Sequence, residues 1–183
     1  MRADDFTTQQ FTWFTGIVED ITDPEKLNRV KVRCLGYHTT NIKELPTKSL
    51  PWATVIMPVT SASIQGNGGN HHLEVNSWVV GFFRDGPSAQ DPMVMGSVAT
   101  KTDGTQDIPS TSSTTNKVHH TKAGHKIEFE NKDGDEKITV EHAKGAKITI
   151  DKDNNLLITN SGTTNIESDG IITIKSLIKT TVI

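Results

Sequence analysis

The stretch Lys147-Ile148-Thr149-Ile150-Asp151-Lys152-Asp153-Asn154-Asn155-Leu156-Leu157-Ile158-Thr159 opens a pattern that runs to the end of the chain. Its apolar pairs Ile148/Ile150 and Leu156/Ile158 are followed by Thr164/Ile166, Ile172/Ile174 and Thr180/Val182, each pair eight residues after the last. Asn154, Gly162 and Gly170 keep the same step, and Asn and Gly are the residues that tolerate positive φ. Period two inside period eight predicts short strand, sharp turn, short strand, repeated. Upstream, Ile127/Phe129 and Ile138/Val140 show the same alternation without the fixed step.

One chain with this pattern has no way to bury its inward stripe, because each eight residues offer only two inward side chains and several are Thr. Three chains winding about one axis, each supplying one face of a prism, give the stripe an interior, with sheet hydrogen bonds running between chains. Burying an Ile fully is worth roughly 1.5–3 kcal/mol, enough in three copies to offset ordering entropy that one copy cannot. A solenoid wound from a single chain needs longer coils. The expected core of this homotrimer is Ile127, Phe129, Ile138, Val140, Ile148, Ile150, Leu156, Ile158, Ile166, Ile172 and Ile174. Lys126, Glu128, Lys137, Thr139, Glu141, Lys147 and Thr149 are expected on its outer face.

The first hundred residues read differently. Nine of the ten aromatic residues precede residue 84, leaving only Phe129 beyond it, so an ordinary core is affordable only there. Candidate strands at Thr12–Glu19, Arg29–Leu35, Trp52–Met57, Trp78–Phe83 and Met93–Gly96, with turn signals between them, predict a small closed barrel or sandwich. Residues 99–118 are rich in Ser, Thr, Pro and Asp and read as a linker. The expected organisation is thus a flexible or docking arm at 1–10, a barrel at 11–98, a linker at 99–118 and a trimeric β-helical unit at 119–183.

Composition excludes several functions. The net charge of −3 is spread evenly: residues 1–100 carry 8 basic and 10 acidic side chains, and residues 101–183 carry 11 and 12. Neither half has the basic excess that nucleic-acid binding normally needs. Cys34, the single cysteine, sits in the strand-like run Lys31-Val32-Arg33-Cys34-Leu35 and reads as a buried apolar residue, with no disulfide and no zinc-type spacing. The polar start Met1-Arg2-Ala3-Asp4-Asp5 shows no signal peptide, and no run of about 18 apolar residues suggests a spanning helix.

No catalytic, cofactor or metal site is expected. Glu128, Glu130, Asp133, Asp135 and Glu136 fall on alternating strands or in a turn and read as solvated, whereas glycosidase chemistry needs two carboxylates across a cleft. The adjacent pairs His71-His72 and His119-His120 point opposite ways on extended chain and are poor chelators. Three copies of His125 or His142 near a threefold axis are the one arrangement that would gather imidazoles. The loop Gln65-Gly66-Asn67-Gly68-Gly69-Asn70 lacks the Lys-Ser/Thr of a phosphate loop, and no Gly-x-Ser-x-Gly elbow occurs.

Residues 14–98 resemble the N-terminal OB domain of contractile-tail spike proteins, a family that includes the central spike of T-even phages, the baseplate assembly protein V of P2-like phages and the VgrG spikes of type VI secretion. The resemblance is carried by Thr15-Gly16-Ile17-Val18-Glu19-Asp20, Asp23-Pro24-Glu25-Lys26-Leu27-Asn28-Arg29-Val30-Lys31-Val32-Arg33, Leu50-Pro51-Trp52-Ala53-Thr54-Val55-Ile56, Ser61-Ala62-Ser63, Gly68-Gly69 and Val79-Val80-Gly81-Phe82-Phe83. Thr121-Lys122-Ala123-Gly124-His125-Lys126-Ile127 and Gly145-Ala146-Lys147-Ile148-Thr149-Ile150-Asp151 resemble the start of a VgrG-like needle.

The resemblance implies a non-enzymatic structural spike, all-β, whose OB barrel docks on a trimeric baseplate hub and whose needle pierces the host outer envelope. It places the chain in a virion tail baseplate or other assembled injection particle, made in the host cytoplasm. The T-even spike carries a lysozyme domain between barrel and needle; residues 99–118 stand in that place here, so muramidase activity is not expected to carry over. The ending Ser176-Leu177-Ile178-Lys179-Thr180-Thr181-Val182-Ile183 lacks the His-x-His of some spike tips, which implies a blunt apolar apex for a separate PAAR-type tip protein to cap. The alternative is a trimeric OB-fold module of a tail fibre or adhesin that binds carbohydrate or nucleic acid.

Overall fold

In the computed structural model, residues 12–70 and 72–175 are described. The expected arm at 1–10, His71 and the expected apex at 176–183 lie outside the described residues. The chain divides into two units, Met1–Ile108 and Pro109–Ile183. Among the described residues, all regular structure is β apart from two short 3-10 turns at Thr47–Ser49 and Gly86–Ser88.

Five strands of the first unit, β1 (Thr12–Asp20), β2 (Val30–Cys34), β3 (Trp52–Val55), β4 (Trp78–Phe83) and β5 (Pro92–Ser97), close into a barrel in the order β1-β2-β3-β5-β4. β3 and β5 pair in parallel, and every other neighbouring pair is antiparallel. This is the topology of a five-stranded Greek-key OB barrel. Alternation along the strands sends Phe14, Val18, Val30, Val32, Cys34, Val79, Phe83 and Val94 inward. The Phe14 and Phe83 rings meet at 4.9 Å. Cys34 is fully enclosed, as its run suggested, and burial pushes its thiol up to about 12.

Closure depends on one close approach. A Cβ added at Gly81 of β4 would lie 2.6 Å from Phe14 Cζ on β1, and closer still to the Met93 carbonyl oxygen of β5. Only glycine lets three strands converge there.

Outside the barrel wall, β2 is covered as well. Arg33 is buried and binds Glu19 through Nε and through Nη2 at 3.0 Å, and its guanidinium also donates to the carbonyls of Thr39 (2.6 Å) and Leu45 (2.9 Å). Thr47 Oγ1 donates to the same carboxylate at 2.6 Å. One ion pair therefore ties the long β2–β3 connection to the barrel, and the Arg33 hydrogen bond holds the Glu19 carboxyl below its usual value.

The stretch 99–118 is more structured than its composition suggests. β6 (Lys101–Thr102) and β7 (Thr105–Gln106) form a small hairpin in the first unit, and β8 (Asn116–His120) begins within the stretch.

The second unit is an antiparallel meander of β8, β9 (Lys126–Glu130), β10 (Lys137–Glu141), β11 (Lys147–Asp151) and β12 (Leu156–Thr159), paired in sequence order. This corrects the expectation that inter-strand hydrogen bonds here run between chains: from 116 to 159 they run within one chain. The turns are the reason. Thr121–His125, His142–Ala146 and Asp151–Asn155 share one frame, in which the first residue's N–H donates to the fifth carbonyl at 2.8–3.1 Å and the fourth N–H donates to the first carbonyl. The fourth residues, Gly124, Gly145 and Asn154, have positive φ. This is the three-residue hairpin loop closed by a left-handed residue, and it reverses the strand rather than advancing it along an axis. The eight-residue stride continues past β12, where residues 160–175 carry no strand and are exposed throughout.

Candidate functional site

Strand register in the second unit lines up the expected core residues in two rows. Phe129, Ile138, Ile150 and Leu156 stand opposite one another across β9–β12, and Ile127, Val140, Ile148 and Ile158 form the row beside them. All eight lie on one face of the sheet, since side chains two apart on a strand share a face. That face is open: the six residues on β9–β11 are 41–46% exposed, and Leu156 and Ile158 are 64% and 62% exposed. Lys117 and His119 of β8 end the rows on one side. Ile166, Ile172 and Ile174 belong to the strandless, exposed segment, and the structure does not bring them to this face.

The opposite face is polar, and its charges alternate across the strands. Lys126 stands opposite Glu141 and Glu141 opposite Lys147; Glu130 stands opposite Lys137 and Lys137 opposite Asp151. Opposite charges at directly facing positions stabilise a register, each pair by roughly 0.2–1 kcal/mol. This charge ladder escaped the sequence reading, because sequence alone did not say which strands were neighbours.

The middle of the polar face corrects a further expectation. Glu128 and Thr139, read as solvent-facing, are 9% and 5% exposed. Lys126 Nζ lies 3.0 Å from Glu128 Oε2 and 3.5 Å from Glu141 Oε2, and Asn116 Nδ2 donates to Glu128 Oε1 at 2.7 Å. The Lys126 hydrogen bond holds the Glu128 carboxyl below its usual range, and Glu128 in turn raises Lys126. The start of the unit is tied to this side of the sheet: Asn116 also donates to the Thr111 carbonyl (2.8 Å), and Asn131 Nδ2 to that of Thr115 (2.9 Å). A sheet with its polar face partly enclosed and its apolar face bare is inverted relative to the usual arrangement.

The barrel offers a second recess, an open groove of about 660 Å³ lined by Ile21, Leu27, Val55 and Met57, with Ser63, Asn70 and His72 among its polar residues. Its β1–β2 loop is organised by Asp23, whose carboxylate accepts the N–H groups of Glu25, Leu27 and Arg29 and two bonds from the Arg29 guanidinium at 2.7 and 3.1 Å. The Arg29 pairing holds the Asp23 carboxyl far below its usual value. No group of three or more metal-ligating side chains occurs among the described residues.

Comparison with known proteins agrees with this barrel. The family described as the Gp5 N-terminal OB domain matches residues 37–170, from just after β2 into the strandless segment. The chain belongs to the Gp5 OB family. Among its relatives, "Pre-baseplate central spike protein Gp5" of Enterobacteria phage T4 is 44% identical over 68 residues, which cover 34% of this chain and 12% of that protein. "Protein Gp5" of Vibrio phage KVP40 is 40% identical over 92 residues, covering 47% of this chain and 21% of that protein. The matched part thus spans about a fifth or less of either Gp5 relative. The T-even spike resemblance read from residues 14–98 is therefore shown, and the OB barrel of the Gp5 family is present as a closed five-stranded sheet.

Proposed function

We propose that this chain is a structural component of a phage tail baseplate, a central spike segment that acts as a homotrimer and is carried in the virion. The observation that carries this reading is the pair of apolar rows left open on a sheet whose other face is neutralised by its own charge ladder. Eight exposed branched and aromatic side chains in register form a contiguous patch of the sort that monomers rarely show and that marks an interaction surface. The relative from phage T4 whose printed name is a pre-baseplate central spike protein supplies the context.

In this reading the barrel serves as the adapter to a trimeric hub, and three second units bury their apolar rows against one another. The eight-residue stride from Leu156 onward then winds with its two sister copies into a β-helical needle, since Ile166, Ile172 and Ile174 find no interior within one chain. Contraction of the tail drives that rod through the host outer envelope, and a separate PAAR-type protein caps the C-terminal apex. The role is mechanical: Glu128 and Glu141, the carboxylates best placed for chemistry, are engaged by Lys126 as ion pairs.

Size-exclusion chromatography with light scattering is the test. Wild type is expected as a trimer, and Ile150→Asp, which sets a charge in the middle of an apolar row, as a monomer with its barrel folded. A wild-type monomer, or a trimer unaffected by Ile150→Asp, would count against the reading.

A further inference from the structure

Continued past the strand ends, the register of β9 and β10 sets His125 opposite His142. Their rings stack at 4.5 Å between centroids, tilted by 50°. His125 Nδ1 accepts the N–H of Ala143 at 3.3 Å, and His142 Nδ1 accepts the N–H of Lys144 at 3.1 Å. A backbone amide can only donate, so both Nδ1 atoms carry lone pairs and both rings are neutral, with their protons on Nε2. This also excludes the pair as a metal chelate in this arrangement, because the remaining Nε2 atoms are protonated. The contacts join two turns of the shared frame: His125 closes the β8–β9 turn and binds Ala143 of the β10–β11 turn, while a Cβ built at Gly124 would sit 3.2 Å from the Ala143 Cβ.

We propose that His125 and His142 form a protonation-sensitive latch that holds these two turns together when neutral and releases them in acid. Histidine is the side chain whose charge changes between about pH 5 and 8. Protonation at Nδ1 turns each acceptor into a donor facing an N–H, so both bonds are lost, and two protonated rings would be like charges in contact. By strand register, no carboxylate of β8–β11 lies on that face. Lys122 and Lys144 lie in the two turns, Lys117 and His119 lie on the same face of β8, and Ala146, across from His142, is uncharged. Glu128 of β9, Glu141 of β10, and Lys126 and Lys147 of β9 and β11 point to the opposite face. Protonation thus costs the turn pair both bonds, and the expected sign is a gain in stability as pH rises. The latch borders the row Ile127–Val140–Ile148–Ile158. Insofar as the proposed assembly holds, acid also places charge at the rim of the face that the copies bury.

The sister turn suggests the control. Asp151 stands where His142 stands in the shared frame, and its Oδ1 accepts the N–H two residues on, from Asp153 at 3.0 Å. His142→Asn keeps such an acceptor without titrating, and His125→Gln does the same for the cross-turn bond. Melting of the second unit in the full chain is expected to fall by about 4–8 °C more between pH 7.5 and pH 5.0 in wild type than in the double variant. In ¹⁵N-histidine NMR of the wild-type chain at pH 7.5, both rings should be neutral with the proton on Nε2. Equal pH dependence in the two proteins, or an Nδ1 proton on either ring at pH 7.5, would overturn the latch. Light scattering at both pH values reads the oligomer independently: a monomer throughout with the tautomers as described would remove the assembly reading and leave the latch standing.

Discussion

Val18, Val32, Val79 and Val94 of the barrel are fully enclosed, whereas Ile127, Ile138, Ile148 and Ile150 of the second sheet, borne on strands of the same alternation, are more than two-fifths exposed. Each of these sheets has five strands. They differ in closure. The barrel curls until its first and fourth strands pair, which gives its apolar face an interior and removes its edges. Among the described residues the meander has no such closing pair: its order runs β12-β11-β10-β9-β8. The lesson is that alternation specifies a face and leaves open what covers it. A barrel supplies its own cover, and an open meander must take cover from elsewhere.

The sharpest way to break the contrast is to stop the barrel from closing. Gly81→Val pushes side-chain atoms into the Met93 backbone, which no rotamer change relieves. The loss is expected to reach about 5 kcal/mol, the exceptional end of single substitutions. A thermal melt should show the barrel transition gone and the second unit's transition unmoved; a joint loss would mean that the two units fold as one.

A smaller effect is expected at the ion pair that covers the barrel. Arg33→Met leaves the Glu19 carboxylate without its guanidinium, and breaking a buried pair costs roughly 3–5 kcal/mol. Acid should act in the same direction in wild type. Glu19 has an ordinary value of 4.5 and is held lower by Arg33, so its contribution is complete above that value and is lost as pH falls through the lower folded value. Asp23 is lowered by Arg29 and has the same sign. The barrel should thus keep its stability down to about pH 4.5 and lose it below, and Arg33→Met should flatten that acid limb in a denaturant series across pH.

The smallest effect tests the register of the open sheet. Lys147→Glu sets like charges opposite each other at Glu141, and should cost about 0.2–1 kcal/mol. Adding Glu141→Lys removes that clash but sets two lysines opposite each other across β9 and β10, so the double variant should recover little. A Lys147→Glu variant as stable as wild type, or a double variant that recovers fully, would show that the ladder is incidental to the pairing.

All five barrel strands were legible to within a few residues, because aromatic and β-branched runs between turn residues admit little else. The motif glycine at 81 became intelligible only in three dimensions, where β1 and β5 reach it together. In the second unit the apolar positions were equally legible, and eight of the eleven do share one face. The winding was misjudged between 116 and 159. Strand alternation is the same in a meander and in a β-helix, and the difference lies in turns whose carbonyl and amide pairings send the chain back on itself.

The pairing of His125 with His142, the charge ladder and the clamp of Arg33 on Glu19 were not legible, since each joins residues from different strands or loops. Sequence by itself determined which side chains go to which face, because the two-residue repeat of extended chain is a local property. Tertiary structure alone decided which strands become neighbours and which face is left bare, because register and closure are set by hydrogen bonds and contacts between segments distant along the chain.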